Sequence, residues 1–190
     1  MPPKAKLSRE QILDAAFAML RRDGEDALNI RAIAAETGCS TQPVMSHFAT
    51  AEGLKSELYA MADAYHTQYI MQEELQDENP MLGIGLRYVR FAAQEPHLFR
   101  FLFQSDRLGT DDYGKLVHNE ALSPMFRMLS KQAGITQSQA EDAFEAIFLT
   151  THGFACLLAN NAMQYDEAYY VKAVTAVFYG VIGAMKGGQL

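Results

Sequence analysis

Two short helical patterns separated by a glycine turn constrain this chain more than any other feature. From Ala27 to Phe48 it reads ALNIRAIAAETGCSTQPVMSHF. Asn29 is an N-cap residue type, and Ile30, Ile33 and Ala34 behind it recur at helical spacing. Gly38 supplies the left-handed residue that stops this helix and turns the chain. Ser40 is placed to cap a second short helix, with Pro43 in its first turn, where a missing N–H is tolerated. Val44 and Phe48 of that helix face inward. This is the layout of a helix-turn-helix, whose second helix can enter the major groove of DNA.

The flanks are helical too. Ser8 and Gln11 form a capping box ahead of a helix carrying Ile12, Leu13, Ala16, Phe17, Met19 and Leu20. Arg21 and Arg22 complement the dipole of its last turn, and Gly24 ends it. Thr50 caps a fourth helix that carries Leu54, Leu58, Met61 and Tyr65 and is expected to reach about Gln76. A break at 77–80 precedes a helix through Leu82, Leu86, Val89 and Ala93, which Glu95-Pro96 interrupts. A short aromatic helix follows at 97–103, then a loop at 109–112. The next helix holds Val117, Leu122, Met125 and Leu129, with a bend expected at Ser123-Pro124, and Gly134 closes it. Thr136 and Gln139 form a second capping box opening a helix from about Gln137 to Asn160, and the last helix runs from about Asp166 to Lys186. No strand-like alternation or internal repeat interrupts this pattern. The expected fold is all-α: a three-helix domain with the helix-turn-helix at 1–49, and a helical domain at 50–190.

The chain has 190 residues, 49% of them hydrophobic, which allows a substantial core and argues against disorder. No unbroken apolar run approaches the length of a bilayer span, and MPPKAKLSRE at the N-terminus lacks the apolar stretch of a signal peptide. A cytoplasmic protein with no membrane partner is expected, its two distant cysteines, Cys39 and Cys156, reduced. The net charge of -7 is unusual for a DNA binder. Residues 1–57 carry seven basic and eight acidic side chains and the rest nine and fifteen, so the acid concentrates in the C-terminal part. Affinity for DNA depends on where the cations sit, and Lys4, Lys6 and Arg9 cluster at the start of the first helix. They form either a phosphate-facing arm or a solubilising terminus.

The last two helices are apolar around most of their circumference, with small residues at Gly153, Ala155 and Ala159. Such helices are buried on more than one side, and at the end of a chain the second side points to another subunit. Two helices from each protomer would make an isologous four-helix bundle, with Gly153, Leu157, Val174, Phe178, Val181 and Ile182 at the interface. The alternative is a pair of core helices in a monomer.

The stretch SREQILDAAFAMLRRDGEDALNIRAIAAETGCSTQPVMSHFATAEGLKSEL resembles the N-terminal region of the TetR (tetracycline-repressor) family of bacterial transcriptional regulators. It has the I-x-x-A-A-type first helix, a Gly before the second, A-I-A and Gly, and a recognition helix ending in H-F. EPHLFRFLF and THGFACLLA look like corresponding C-terminal segments of one group of these regulators. The resemblance implies an all-helical homodimer in which three N-terminal helices bind a double-stranded DNA operator. The remaining helices bind a small-molecule effector and make the dimer. No cofactor is implied. Two positions depart from the family. Met45 stands where a phosphate-contacting Tyr is usual, and Ala51 stands where a Lys is usual. Phosphate contact is then left to Lys4, Lys6, Arg9, Arg31 and Lys55.

On the recognition helix, Thr41, Gln42 and Ser46 are the candidates for contact with base edges or phosphates. Pro43 stiffens its start and offers an apolar contact. His47 matches a family position that often meets phosphate, and Arg31 opens the second helix, where family members often touch the backbone. In the C-terminal part, Phe91, Phe103 and Phe148 could line a pocket for an apolar or aromatic effector, although aromatic stripes are usually core. His152, one turn after Phe148, could orient a ligand there; the commoner role is a core or interface histidine. Catalysis finds little support: there is no GxSxG, P-loop or GxGxxG motif, and no set of converging metal ligands is evident. The expected function is a ligand-responsive repressor. The alternative is a dimeric interaction protein with weak or lost DNA binding.

Overall fold

The computed structural model describes residues 7–72, 79–105, 117, 120–161 and 163–188. Among these residues every regular element is helical, as expected for an all-α fold. The elements are α1 (Arg9–Asp23), a 3-10 turn (Glu25–Ala27), α2 (Ile30–Glu36), α3 (Thr41–His47), α4 (Ala51–Met71), α5 (Pro80–Gln94) and α6 (Pro96–Phe103). After a second 3-10 turn (Glu120–Leu122) come α7 (Ser123–Ala133), α8 (Gln137–Asn160) and α9 (Glu167–Lys186). The chain divides into two compact units, Met1–Thr67 with Glu95–Arg107, and Gln68–Gln94 with Leu108–Leu190.

In the first unit α1 packs on α2, α3 and α6, and α2 on α3. Ile12, Leu20, Ile33, Val44, Phe48, Leu54 and Leu58 form its interior together with Leu98, Phe99, Phe101 and Leu102 of α6. Local chemistry sets the helix starts. Ser8 Oγ accepts from Gln11 N at 3.1 Å while Ser8 N donates to Gln11 Oε1 at 2.9 Å, a complete capping box. Asn29 Oδ1 accepts from Ala32 N at 2.9 Å and Thr50 Oγ1 from Gly53 N at 3.0 Å. Gly24, at φ +85°, has no room for a side chain, since a Cβ there would lie 2.7 Å from His97 Nδ1.

In the second unit α8 is central, packed on α5, α7 and α9. One cluster joins Ile84, Phe126, Leu129, Phe144, Phe178 and Ile182; another joins Val89, Leu158, Tyr170 and Val174. The Thr136–Gln139 capping box opens α8 where the sequence places it. Buried Arg87 donates from Nε to the Ile70 carbonyl at 2.8 Å, at the end of α4.

Several expectations are corrected. Helix α4 ends at Met71 and Gln72 is already non-helical; the remainder of the stretch to Gln76, like Lys4, Lys6 and the loop at 109–112, lies outside the described residues. Ser40 has the extended backbone of an N-cap but makes no side-chain capping bond. The residue three positions on is Pro43, which has no N–H to donate. Instead of one helix bent at Ser123-Pro124, a 3-10 turn stops at Leu122 and α7 starts afresh with Pro124 in its first turn. By length and composition alone, α8 and α9 are long and apolar enough to cross a membrane. Thr150, Thr151, His152 and Lys172 interrupt their apolar runs, which is why no unbroken run stands out in the sequence.

Candidate functional site

The helix-turn-helix is held from beneath. Val44 and Phe48 of α3 and Ile33 and Ala34 of α2 are buried, and Gly38, at φ +65°, makes the turn between them. Thr37 Oγ1 donates to the carbonyls of Ile33 and Ala34 at 2.8 and 3.2 Å, closing the end of α2. Arg9 stacks its guanidinium 4.7 Å from the Phe48 ring centroid and pairs with Glu57, tying the start of α1 to this core.

With its inner face anchored, α3 presents the rest to solvent. Gln42, Met45, Ser46 and His47 are exposed, and Thr41 and Pro43 half-buried. Ser46 Oγ donates to the Pro43 carbonyl at 2.8 Å, so its proton is engaged within the helix. His47 Nε2 donates to the Leu7 carbonyl at 3.0 Å, which docks the residue preceding α1. No acidic residue lies on α3.

The cations of this unit are largely occupied. Lys55 Nζ lies 2.9 Å from Glu25 Oε1 and is only 18% exposed. Arg22 binds Glu36 at 3.0 Å and Asp23 at 2.8 Å. Hydrogen bonding to Glu36 holds the Arg22 guanidinium above its ordinary range, and Arg22 in turn lowers the Glu36 carboxyl. Arg21 bridges to Glu95 and lies 5.1 Å from the Tyr65 ring centroid. Arg31, exposed at the start of α2, has no carboxylate partner among the described residues. Of the cations read as phosphate contacts, Arg31 is therefore available, Arg9 and Lys55 are engaged, and Lys4 and Lys6 lie outside the described residues.

The aromatic candidates separate. Phe103 belongs to the first unit, packed 5.0 Å from the Phe99 ring and edge-on to His66 at 5.0 Å. Burial lowers the His66 pKa to about 4. Phe91, Phe148 and His152 belong to the second unit, where Phe91 is 0% exposed and spent on the core, edge-on to Tyr69. Phe144, Phe148 and His152 recur every four residues along α8, so their rings stack in a column, 5.8 and then 5.4 Å apart. The His152 Nδ1 lies 2.8 Å from the Tyr88 hydroxyl of α5. Burial lowers the His152 pKa and raises that of Tyr88 well above 10, so both stay neutral near pH 7. Tyr88 carries no signal in the sequence beyond an aromatic on α5. A cleft of about 260 Å³ in the first unit, lined by Asp23, Gly24, Glu25, Asp26, His97, Arg100 and Phe101, uses none of the candidate residues.

The six candidate dimer residues divide as well. Val174, Phe178 and Ile182 are buried in the unit's own core and Val181 packs against it, whereas Gly153 and Leu157 face out. The exposed apolar side chains of α8 and α9 are Leu149 at 48%, Leu157 at 50%, Tyr169, Val171 and Tyr179 at 56%. Gly153, Gly180 and Gly183 accompany them, each with open space where a Cβ would point.

Comparison with known proteins meets this architecture. Residues 81–178, just over half of the chain, match the family model described as Tetracyclin repressor-like, C-terminal domain. The chain is 19% identical over 169 residues to the uncharacterized HTH-type transcriptional regulator YobS of Bacillus subtilis, covering 88% of this chain and 87% of that one. It is 25% identical over 162 residues to the uncharacterized HTH-type transcriptional regulator Rv0681 of Mycobacterium tuberculosis, covering 84% of this chain and 74% of the relative. A family match across more than half of the chain, behind an N-terminal helix-turn-helix, makes this protein a TetR-family transcriptional regulator.

Proposed function

We propose that this regulator is a repressor that binds a palindromic operator as a homodimer and is released by a small apolar or aromatic effector. Residues 1–49 act as the DNA-binding domain and 50–190 as the effector-binding and dimerisation domain. It works in the cytoplasm as a regulator and not as an enzyme. The observation that carries the DNA-binding half is α3: an acid-free helix, anchored by Val44 and Phe48, that turns Gln42 and Ser46 outward. Gln42 reads a base edge, with Thr41, Pro43, Ser46 and His47 around it and Arg31 on the backbone. Lys6 extends the phosphate contact from the N-terminal arm.

The exposed apolar side of α8 and α9 supports the dimer. A glycine inside a helix costs about 1 kcal/mol relative to alanine. Among the described residues, open space faces Gly153, Gly180 and Gly183, which gain nothing there for that cost. Close approach by a second copy of α8 and α9 offsets it. Leu149, Leu157 and Tyr179 then form the interface with Gly153, while Val174, Phe178 and Ile182 support it from inside. The effector contacts His152 and Phe148, with the Tyr88 hydroxyl as a further polar group, and its binding biases the dimer between spacings that fit DNA and spacings that do not.

A second reading, a dimeric interaction protein with weak DNA binding, draws on the Lys55–Glu25 pair, which removes one cation from the DNA face. Fluorescence anisotropy separates the two readings, using duplex from the gene's own upstream region at two salt concentrations. The repressor reading requires tight, salt-sensitive binding that Gln42→Ala weakens about tenfold or more. Binding no tighter than to scrambled duplex sinks it and leaves the interaction reading.

A further inference from the structure

We propose that Met45 is a base-reading residue, its thioether packing on the C5-methyl group of a thymine in the major groove. The inference rests on the DNA-binding reading of α3.

Met45 is 57% exposed, and among the described residues it is the exposed large hydrophobic side chain of the first unit; the others belong to the second. Its position gives the exposure meaning. Met45 follows Gln42 by three residues, so these two exposed side chains are neighbours on the helix surface, with Thr41 half-buried beside them and Val44 turned inward. At 1.5 Å per residue, Met45 stands about 4.5 Å along the axis from Gln42, between one and two base-pair steps of about 3.4 Å. A helix that sets Gln42 against a base edge therefore brings Met45 over the neighbouring base pair.

Chemistry selects the target. A thioether donates no strong hydrogen bond, and the apolar group displayed in the major groove is the thymine methyl. Methionine is unbranched and polarizable, so it adapts to that methyl without demanding one backbone approach. Two polar neighbours are already held by backbone carbonyls: Ser46 Oγ donates to Pro43 and His47 Nε2 to Leu7. With Lys55 bound to Glu25, recognition depends more on such short-range contacts than on phosphate charge.

The test uses the full chain and the duplex that it enriches most strongly from a random pool. Each thymine is replaced in turn by deoxyuridine, which lacks the methyl, in both half-sites together. We expect one symmetry-related pair of thymines, next to the position that Gln42→Ala perturbs, to matter. Its replacement should weaken wild-type binding about fourfold per half-site, the worth of one buried methyl group. Met45→Ala should bind the thymine and uracil duplexes equally, and Met45→Leu should keep part of the difference. Because Met45 is exposed, unchanged melting curves verify that both variants fold. Specific, Gln42-dependent binding in which Met45→Ala keeps the full thymine-to-uracil ratio, or in which no thymine methyl matters, overturns the role of Met45 alone. Enrichment of no duplex over scrambled sequence overturns the DNA-binding reading and this inference with it.

Discussion

The two units expose different kinds of surface. In the first, α3 offers amide and hydroxyl groups with exposed Met45 and half-buried Pro43 as its apolar members, and the cations around it are mostly tied to carboxylates. In the second, α8 and α9 expose leucine, valine and tyrosine side chains beside glycines. Both units are helical with apolar interiors, so the interior does not distinguish their tasks. A polar face with a few directional groups suits a ligand read by hydrogen bonds, whereas an apolar face with small residues suits another helix.

The largest effect expected from breaking this comparison lies beneath the polar face. Phe48→Ala removes a buried ring that also carries the Arg9 stack, and should destabilise the first unit by about 3–5 kcal/mol, read by urea unfolding. An unchanged midpoint would mean that α3 is not anchored there. On the apolar face, Leu157→Asp should leave the fold intact, because Leu157 is 50% exposed. It should raise the dimer Kd about a hundredfold or more, roughly 3 kcal/mol. Light scattering after gel filtration reads the change, and Met45→Asp provides the contrast, since it should leave the dimer whole.

Acid tests the interior of the first unit. Burial holds the folded His66 pKa at about 4, below its ordinary 6.5. The unfolded chain therefore binds the proton first, and the stability due to neutral His66 is complete above pH 6.5 and lost as pH falls toward 4. By pH 5 the loss should be about 2 kcal/mol. Melts at pH 7.5 and 5 of the wild type and of His66→Phe check this, with the variant expected to lose less. His152 shifts in the same direction, so the variant should reduce the pH dependence without abolishing it. The smallest effects are local and shared: Ser8→Ala and Thr136→Ala should each cost about 1 kcal/mol, because each breaks an equivalent capping box. A large difference between them would show that one cap also carries tertiary contacts.

What was legible in the sequence follows the range of the physics. Capping boxes and glycine stops act within four residues, so α1, α2 and α8 could be read from Ser8, Asn29, Gly38 and Thr136. Ser40 misled because its capping partner three residues on is a proline. Longer-range pairings left no trace: Lys55 meets Glu25 across thirty positions, and Tyr88 meets His152 across sixty-four. Periodicity also fails where a helix is apolar all round. In α9, nothing in the spacing tells that Val174, Phe178 and Ile182 turn inward while Tyr179 turns out. Phe91 and Phe148 look alike in sequence, yet the first is sealed in the core and the second is stacked between Phe144 and His152. Phe103 lies in the other unit.

A dimer made through the apolar face should read DNA through the polar one. Selection of duplexes from a random pool by the full chain tests it most directly. The expected result is enrichment of an inverted repeat with half-sites about 10 base pairs apart, centre to centre, lost with Gln42→Ala and weakened with Leu157→Asp. Enrichment of a single, non-repeated site, or of no sequence at all, would contradict it.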